Sequence, residues 1–275
     1  MNSRKLADIN PHPRDKNISF TEEGHKYTIT DSEGNPINKP IISTTETIGK
    51  FHDHFDADKV LDKMFVMSVD GIYTGKNQLY LGKSREEIKT KWEETGKEAS
   101  EKGTAMHQDI ENFFNDDPVL YPDSKEHQMF LDWWRNYQEK HPTHRPYKTE
   151  CLIYDDNPNC EKVLAGSVDF LAIDENDELH EFDWKRAKDI KKDNKYENRY
   201  GDIIHKKMYK PFNDLDDCNY NHYRLQLNFY RHTLENLYDK KVKTMRLVIL
   251  HPDQENWEEH VIERINLNEV WHTLR

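Results

Sequence analysis

The side chains best suited to chemistry are spread over separate stretches of this 275-residue chain. His107 and Glu111 stand four apart in GTAMHQDIE, so a helix there puts them on one face. Glu150 lies in the β-prone run TECLIYD, Asp169 in GSVDF, and Asp183 and Lys185 in FDWKRA. On a strand, residues i and i+2 project from the same face, so Asp183 and Lys185 point together. Asp169 sits on the preceding run, one turn away, which permits the two carboxylates to meet across a sheet. At this level two readings stand. Asp183 and Lys185 can brace a hairpin as an ion pair while His107 is an ordinary helix residue, or the set can form one charged centre.

Other chemistries lack their signatures. GKS at residues 82–84 would need Gly at position 77 to complete a phosphate loop, and Asn77 is there instead. GxGxxG, HExxH and GxSxG do not occur, which removes the usual marks of dinucleotide binding, zincin proteolysis and α/β-hydrolase catalysis. Cys151, Cys160 and Cys218 are an odd number at spacings that match neither a zinc nor an iron–sulfur pattern, so a reducing, cytoplasmic compartment is expected. Apolar runs such as MFVM, FLAI and LVIL stop at four residues, whereas a membrane span needs about 20, so no membrane partner is expected. The opening MNSRKLADINPHPRD carries no apolar stretch, and no secretory signal is expected.

Hydrophobic residues make up only 35% of the chain, but 11% aromatics point to a folded, aromatic-rich core under a charged surface. The net charge of −12 weighs against a polyanionic partner until its distribution is considered. Residues 185–210 hold ten Lys or Arg against four acids, a local +6 that leaves −18 for the rest. An acidic body with one basic segment suits an enzyme that touches a polyanion locally and releases it.

The elements that must position these residues follow from pattern. ISFTEEGHKYTITDSEGNPINKPIISTTETI reads as a hairpin whose longer loop is DSEGNP. Ser43 or Thr44 is expected to cap a helix through FHDHFDADKVLDKMF. Ser84 and Glu87 form a capping box that starts a long helix to about Phe114, with Gly96 and Gly103 as places for a kink. Asp123 and Glu126 repeat that start signal ahead of HQMFLDWWRNYQ. From residue 146 three short strands are expected, then loop or broken helix over 186–218, a helix over HYRLQLNFYRHTLENLY, strands at MRLVILH and WEEHVIERI, and a terminal helix. Residues 1–83 are expected to form an N-terminal hairpin and helical extension packed on a core spanning 84–275.

Taken in order, GTAMH, an upstream Glu, GSVDF, DWK and QLNFY resemble the RecB-like branch of the PD-(D/E)XK nuclease superfamily, over roughly residues 100–250. The HKYTIT … PIISTTETI region is similar, more loosely, to the N-terminal extension of phage and viral members. The resemblance implies an α/β (α+β) fold of restriction-endonuclease type, a central mixed sheet flanked by helices in the succession αβββαβ. It implies a Mg²⁺- or Mn²⁺-dependent nuclease acting on DNA, most simply an exonuclease working on ends or single strands. The iron–sulfur subgroup of such nucleases carries four cysteines around the core; this chain has three, misplaced, so no cluster is expected.

By the same resemblance His107, Asp169, Asp183 and the backbone carbonyl of Trp184 are metal ligands, and Glu150 lies at the edge of the site as ligand or orienter. Hard cations take carboxylate, carbonyl and water oxygens, and the added imidazole makes Mn²⁺ acceptable. Lys185 would face the attacking water or a phosphate oxygen; nearby cations should lower its pKa, and its role is electrostatic. Gln226 and Tyr230 would brace that lysine and contact the nucleic-acid backbone. Arg186, Lys188, Lys191, Lys192, Lys206 and Lys207 follow the catalytic strand and are expected on phosphates, with Tyr196, Tyr200 and Tyr209 stacking on unpaired bases. The competing expectations are an endonuclease or an RNA-directed nuclease with the same site, and a nucleic-acid-binding scaffold that has lost turnover.

Overall fold

Strand-forming runs dense in Val, Leu, Ile and Phe, such as VLAGSVDFLAI, read as strands buried on both faces, and the structure places them at the centre of a sheet. The computed structural model describes residues 5–66, 68, 70–198, 200–268 and 271. In chain order the elements are α1 (Lys5–Ile9), β1 (Ile18–Thr21), β2 (Lys26–Ile29), β3 (Ile41–Ser43), α2 (Thr44–Gly49), α3 (Ala57–Met64), α4 (Arg85–Phe114) and α5 (Lys125–Lys140). There follow β4 (Arg145–Asp155), β5 (Val163–Ile173), β6 (Leu179–Lys185), β7 (Lys195–Glu197), β8 (Ile203–His205), α6 (Asn219–Leu237), β9 (Val242–Ile249) and β10 (Glu258–Ile262).

The fold is α+β, with a mixed six-stranded sheet flanked by helices. Its order is β10-β9-β6-β5-β3, with β4 also paired to β5. β3 runs parallel to β5 and β6 parallel to β9, while the other pairs in this sheet are antiparallel. One edge of β5 is taken by β4 along most of its length. The other edge is shared: β6 pairs with residues 170–173 and β3 with residues 163–165. Among the described residues, 166–169 therefore have no strand partner on that edge, and the end of β6 leaves β5 beyond Phe182. The sheet opens where the sequence carries its carboxylates.

Both faces are covered by apolar packing. Met106, Ile110 and Phe114 of α4 and Phe130, Trp133 and Trp134 of α5 lie against Phe170, Phe182 and Trp184. On the other face Leu227, Tyr230 and Leu234 of α6 meet Val168, Leu171 and Leu247. Gly166 has a steric reason: a Cβ there would stand 2.4 Å from the Tyr230 ring and 3.0 Å from Thr44 Oγ1.

The chain separates into two compact units, one reaching Asp53 and resuming at Met106, the other His54–Ala105. The second unit holds α3 and the first part of α4, with its own small core of Leu61, Phe65, Tyr73 and Ile88.

Several boundaries differ from expectation. The β1–β2 turn is Glu22–His25, where Gly24 and His25 take positive φ; DSEGNP makes a separate turn, its Asp31 Oδ1 accepting from the Glu33 and Asn35 amides. Ser43 caps only the short α2, through the Glu46 amide, and α3 starts afresh at residue 57 under Asp56. Each cap has its own Ser or Asp acceptor, which ends the notion of one continuous helix. The Ser84–Glu87 box closes in both directions, at 2.7 and 3.3 Å, and α4 runs on through Gly96 and Gly103. α5 is capped by Ser124 rather than Asp123. The 186–218 segment contains the exposed β7–β8 hairpin. The expected terminal helix lies largely outside the described residues.

Candidate active site

Where β6 leaves β5, the main-chain groups of Trp184 lack a strand partner on that side, and side chains take them over. The Trp184 amide donates to Asp169 Oδ2 at 2.8 Å, and His107 Nε2 donates to the Trp184 carbonyl at 3.0 Å. This turns the His107 ring so that Nδ1 faces Glu150 Oε1 at 3.5 Å and Asp169 Oδ2 at 3.7 Å. Glu150 lies across from Asp169 between the pairs Thr149↔Phe170 and Cys151↔Val168, in the left-handed region at φ 42°. For a residue other than Gly that conformation costs of order 1 kcal/mol or more, and such outliers gather at functional sites. Ser167 Oγ holds the second Glu150 oxygen at 2.8 Å.

Beside this group Lys185 Nζ donates to Asp183 Oδ1 at 2.8 Å, and the Lys185 ammonium stands 5.2 Å from the Tyr223 ring centroid on α6. Asp183 is almost wholly buried, and its Oδ2 also stands 2.8 Å from Nζ, so the ammonium straddles both carboxylate oxygens. The entry side is the other one: the His107 and Glu150 side chains keep 27% and 29% of their surface exposed, against 2% for Asp183.

These charges move each other's protonation. Burial opposes a charged His107, but Asp169 and Glu150 outweigh it and hold its pKa at about 9. Burial and the Asp183 charge push Asp169 up to about 7. Glu150 is held below the ordinary carboxylate range, since its bond and charge contact with His107 overcome burial. Lys185 is likewise raised, because Asp183 and Asp169 outweigh its desolvation. Without a cation Lys185 is thus a firm positive charge, not the depressed amine expected beside metal.

Ligand atoms of His107, Glu150 and Asp169 all lie within 4.8 Å of one another, an arrangement open to a cation. Glu150, expected only at the edge, stands inside this group, while Asp183 is turned to Lys185. The Trp184 carbonyl already accepts the His107 bond. The donor set of one imidazole and two carboxylates fits a hard or borderline divalent ion.

The expected nucleic-acid contacts fall differently. Gln226 Nε2 donates to Tyr230 Oη at 3.0 Å, and Tyr230 is buried against Gly166, so the residue under Lys185 is Tyr223. Much of the basic segment is internally paired. Arg186 bonds Glu126 at 2.7 Å, Lys188 bonds Asp253 at 2.8 Å, Lys206 bonds Asp53 and Asp217, and Lys207 bonds Asp216 at 2.6 Å. Lys191 stands 3.9 Å from Asp189, and Lys192 lies over the Tyr220 ring. Tyr209 donates to Asp53, while Tyr196 and Tyr200 are 55% and 72% exposed in and beside the β7–β8 hairpin.

Sequence reasoning missed Ser167, Tyr223 and Glu181. Tyr223 lies three residues before Gln226 and seven before Tyr230, on the same helical face, so periodicity carried a signal for it. Glu181, at i−2 from Asp183, is wholly buried with both oxygens lacking hydrogen bonds, and burial with the Asp183 charge raises its pKa well above the ordinary value.

No family model and no curated protein matches the chain. Among solved structures it is similar to the crystal structure of SSO0001, at 13% identity and a TM-score of 0.27, over 54% of each chain. It thus spans about half the length of that protein.

Proposed function

We propose that this protein is a metal-dependent nuclease of the PD-(D/E)XK type that hydrolyses DNA phosphodiesters, working as an exonuclease on ends or single strands. The observation that carries the proposal is the convergence of His107, Glu150 and Asp169 beside the Asp183–Lys185 pair, where β5 and β6 part. The strand succession β4–β5–β6, preceded by α4 and α5 and followed by α6 and β9, supports the restriction-endonuclease-like reading.

His107, Glu150 and Asp169 would hold the cation, with the Asp183–Lys185 ion pair beside them. Bound there, a divalent cation supplies an activated water and neutralises charge on the phosphate. Lys185 keeps its proton and stabilises the charge that grows on the phosphate oxygens. Asp183 orients Lys185 through their 2.8 Å bond, and Tyr223 backs its ammonium. Ser167 fixes the Glu150 carboxylate. The exposed Tyr196 offers a ring for stacking on an unpaired base.

The test is a time course on end-labelled linear DNA, closed circular single-stranded DNA and a labelled RNA oligomer, with Mg²⁺, Mn²⁺ or EDTA. Linear DNA is degraded only with metal, the circle survives, and Asp183→Ala or Lys185→Ala lowers cleavage by about 100-fold or more. Cutting of the circle makes the protein an endonuclease, and preference for RNA changes the substrate. Tight binding in EDTA without cleavage in metal, or full activity in either variant, overturns the proposal.

A further inference from the structure

A second group of ligand-type side chains lies at the other end of β6. His144 precedes β4, Asp174 follows β5, and His180 lies on β6; their ligand atoms also fall within 4.8 Å of one another. His180 is three residues from Asp183, about 10 Å along a strand, and alternation points it to the opposite face.

The imidazoles are oriented from behind. Tyr137 Oη meets His144 Nδ1 at 2.7 Å, and Thr244 Oγ1 meets His180 Nδ1 at 2.8 Å, which leaves the two Nε2 atoms for another partner. His180 is 98% buried, yet its Nε2 has no hydrogen bond and stands 3.5 Å from Asp174 Oδ2. A buried imidazole nitrogen aimed at a carboxylate, with its far nitrogen held by a hydroxyl, is the arrangement that metal-ligating histidines use. Burial and the neighbouring His144 also keep His180 neutral at pH 7, the charge state a ligating imidazole needs.

We propose that His144, Asp174 and His180 form a binding site for a borderline transition-metal cation, with Zn²⁺ the best match to two imidazoles and one carboxylate and a water as fourth ligand. Ligand atoms about a tetrahedral ion lie roughly 3.3 Å apart, so a pair as far as 4.8 Å apart must close by about 1.5 Å. The stacked His144 and His180 rings, 3.9 Å apart between centroids, must splay for both nitrogens to face the ion. Two positive groups face the site. Lys243 Nζ stands 3.0 Å from Asp174 Oδ2, but it is equally near Glu178 Oε2 and half exposed, so it can pass to Glu178. Arg246 is engaged with Glu259 and Thr244. A bound ion would tie the β5–β6 turn to the lead-in of β4, distant from the reacting groups.

The experiment uses the full chain carrying His107→Gln, Asp169→Asn and His222→Gln, so that neither the first cluster nor the His52–Asp217–His222 group can contribute, and titrates Zn²⁺ against a chromophoric chelator in excess Mg²⁺. One equivalent of Zn²⁺ is expected. Adding His144→Gln, a partly exposed position, should weaken it by more than about 100-fold, and Thr244→Val, which removes only the hydroxyl behind His180, by about 10- to 100-fold. Co²⁺ in place of Zn²⁺ should give the visible absorption of a tetrahedral site, lost in the same variants. Absence of bound Zn²⁺, or an equivalent that survives His144→Gln unchanged, overturns the assignment.

Discussion

Cation uptake at the His107–Glu150–Asp169 group should be strongly proton-linked. In the metal-free protein His107 titrates at about 9 and Asp169 at about 7. An ion bound through Nδ1 and the Asp169 carboxylate must displace both protons. At pH 7 such a histidine is almost wholly protonated and such a carboxyl about half, so protons compete strongly with the cation. At pH 8 that competition is weaker. Mn²⁺ affinity should therefore rise by roughly 10- to 30-fold over that single pH unit, with between one and two protons released. Titration calorimetry in buffers of different ionisation enthalpy measures both quantities. His107→Gln should hold the gain below about tenfold, since only one proton, on Asp169, still competes, and loss of the neighbouring imidazolium raises that carboxyl further. An affinity flat between pH 7 and 8, with no proton released by the wild-type chain, refutes the assigned ligands.

Gly166→Ala should lower stability by about 1–3 kcal/mol in urea, because the new methyl group meets the Tyr230 ring at 2.4 Å. Glu181 has a raised pKa in the folded chain, so folding binds a proton that the unfolded chain releases, and wild-type stability falls as pH rises above the ordinary glutamate range. Glu181→Gln removes that fall, and the stability gap should widen by about 1.4 kcal/mol per pH unit until the folded carboxyl ionises; equal slopes for both proteins in denaturant melts would contradict this. Lys185→Ala should reduce metal-dependent cleavage by about 100- to 1,000-fold while leaving DNA affinity in EDTA nearly unchanged, as gel shift and product assays would read. Tyr196→Ala should weaken single-stranded DNA binding by about 1–3 kcal/mol, whereas Lys207→Ala, whose ammonium is held by Asp216, should alter it little.

Local chemistry was legible in the sequence wherever one residue does the work. The Ser84–Glu87 box marks the start of α4 because the two side chains satisfy each other's amides. The runs around Glu150, Asp169 and Asp183 are strands because β-branched and aromatic residues fill them. Asx and Ser acceptors lie close together in this chain, so the cap moved from Asp123 to Ser124, and the hairpin turn from residues 31–36 to 22–25. Hidden altogether was the sharing of one β5 edge between β3 and β6, a long-range event that no local pattern encodes. The left-handed backbone that brings Glu150 into the ligand group was hidden too. Charge counting found the basic segment but could not show that acids distant in sequence, Asp53, Glu126 and Asp253, bind its cations.

Trp184 links the aromatic interior directly to the reactive groups. Its ring is clamped edge-on by Trp133 at 5.0 Å and Phe130 at 5.7 Å, while its own peptide groups hold Asp169 and His107. A saturation scan read out by turnover should thus score Trp133 and Phe130 among its sensitive positions although neither reaches the solvent. Anyone seeking to tune this centre would do better to reshape the hydrophobic clamp behind it than to redesign its rim.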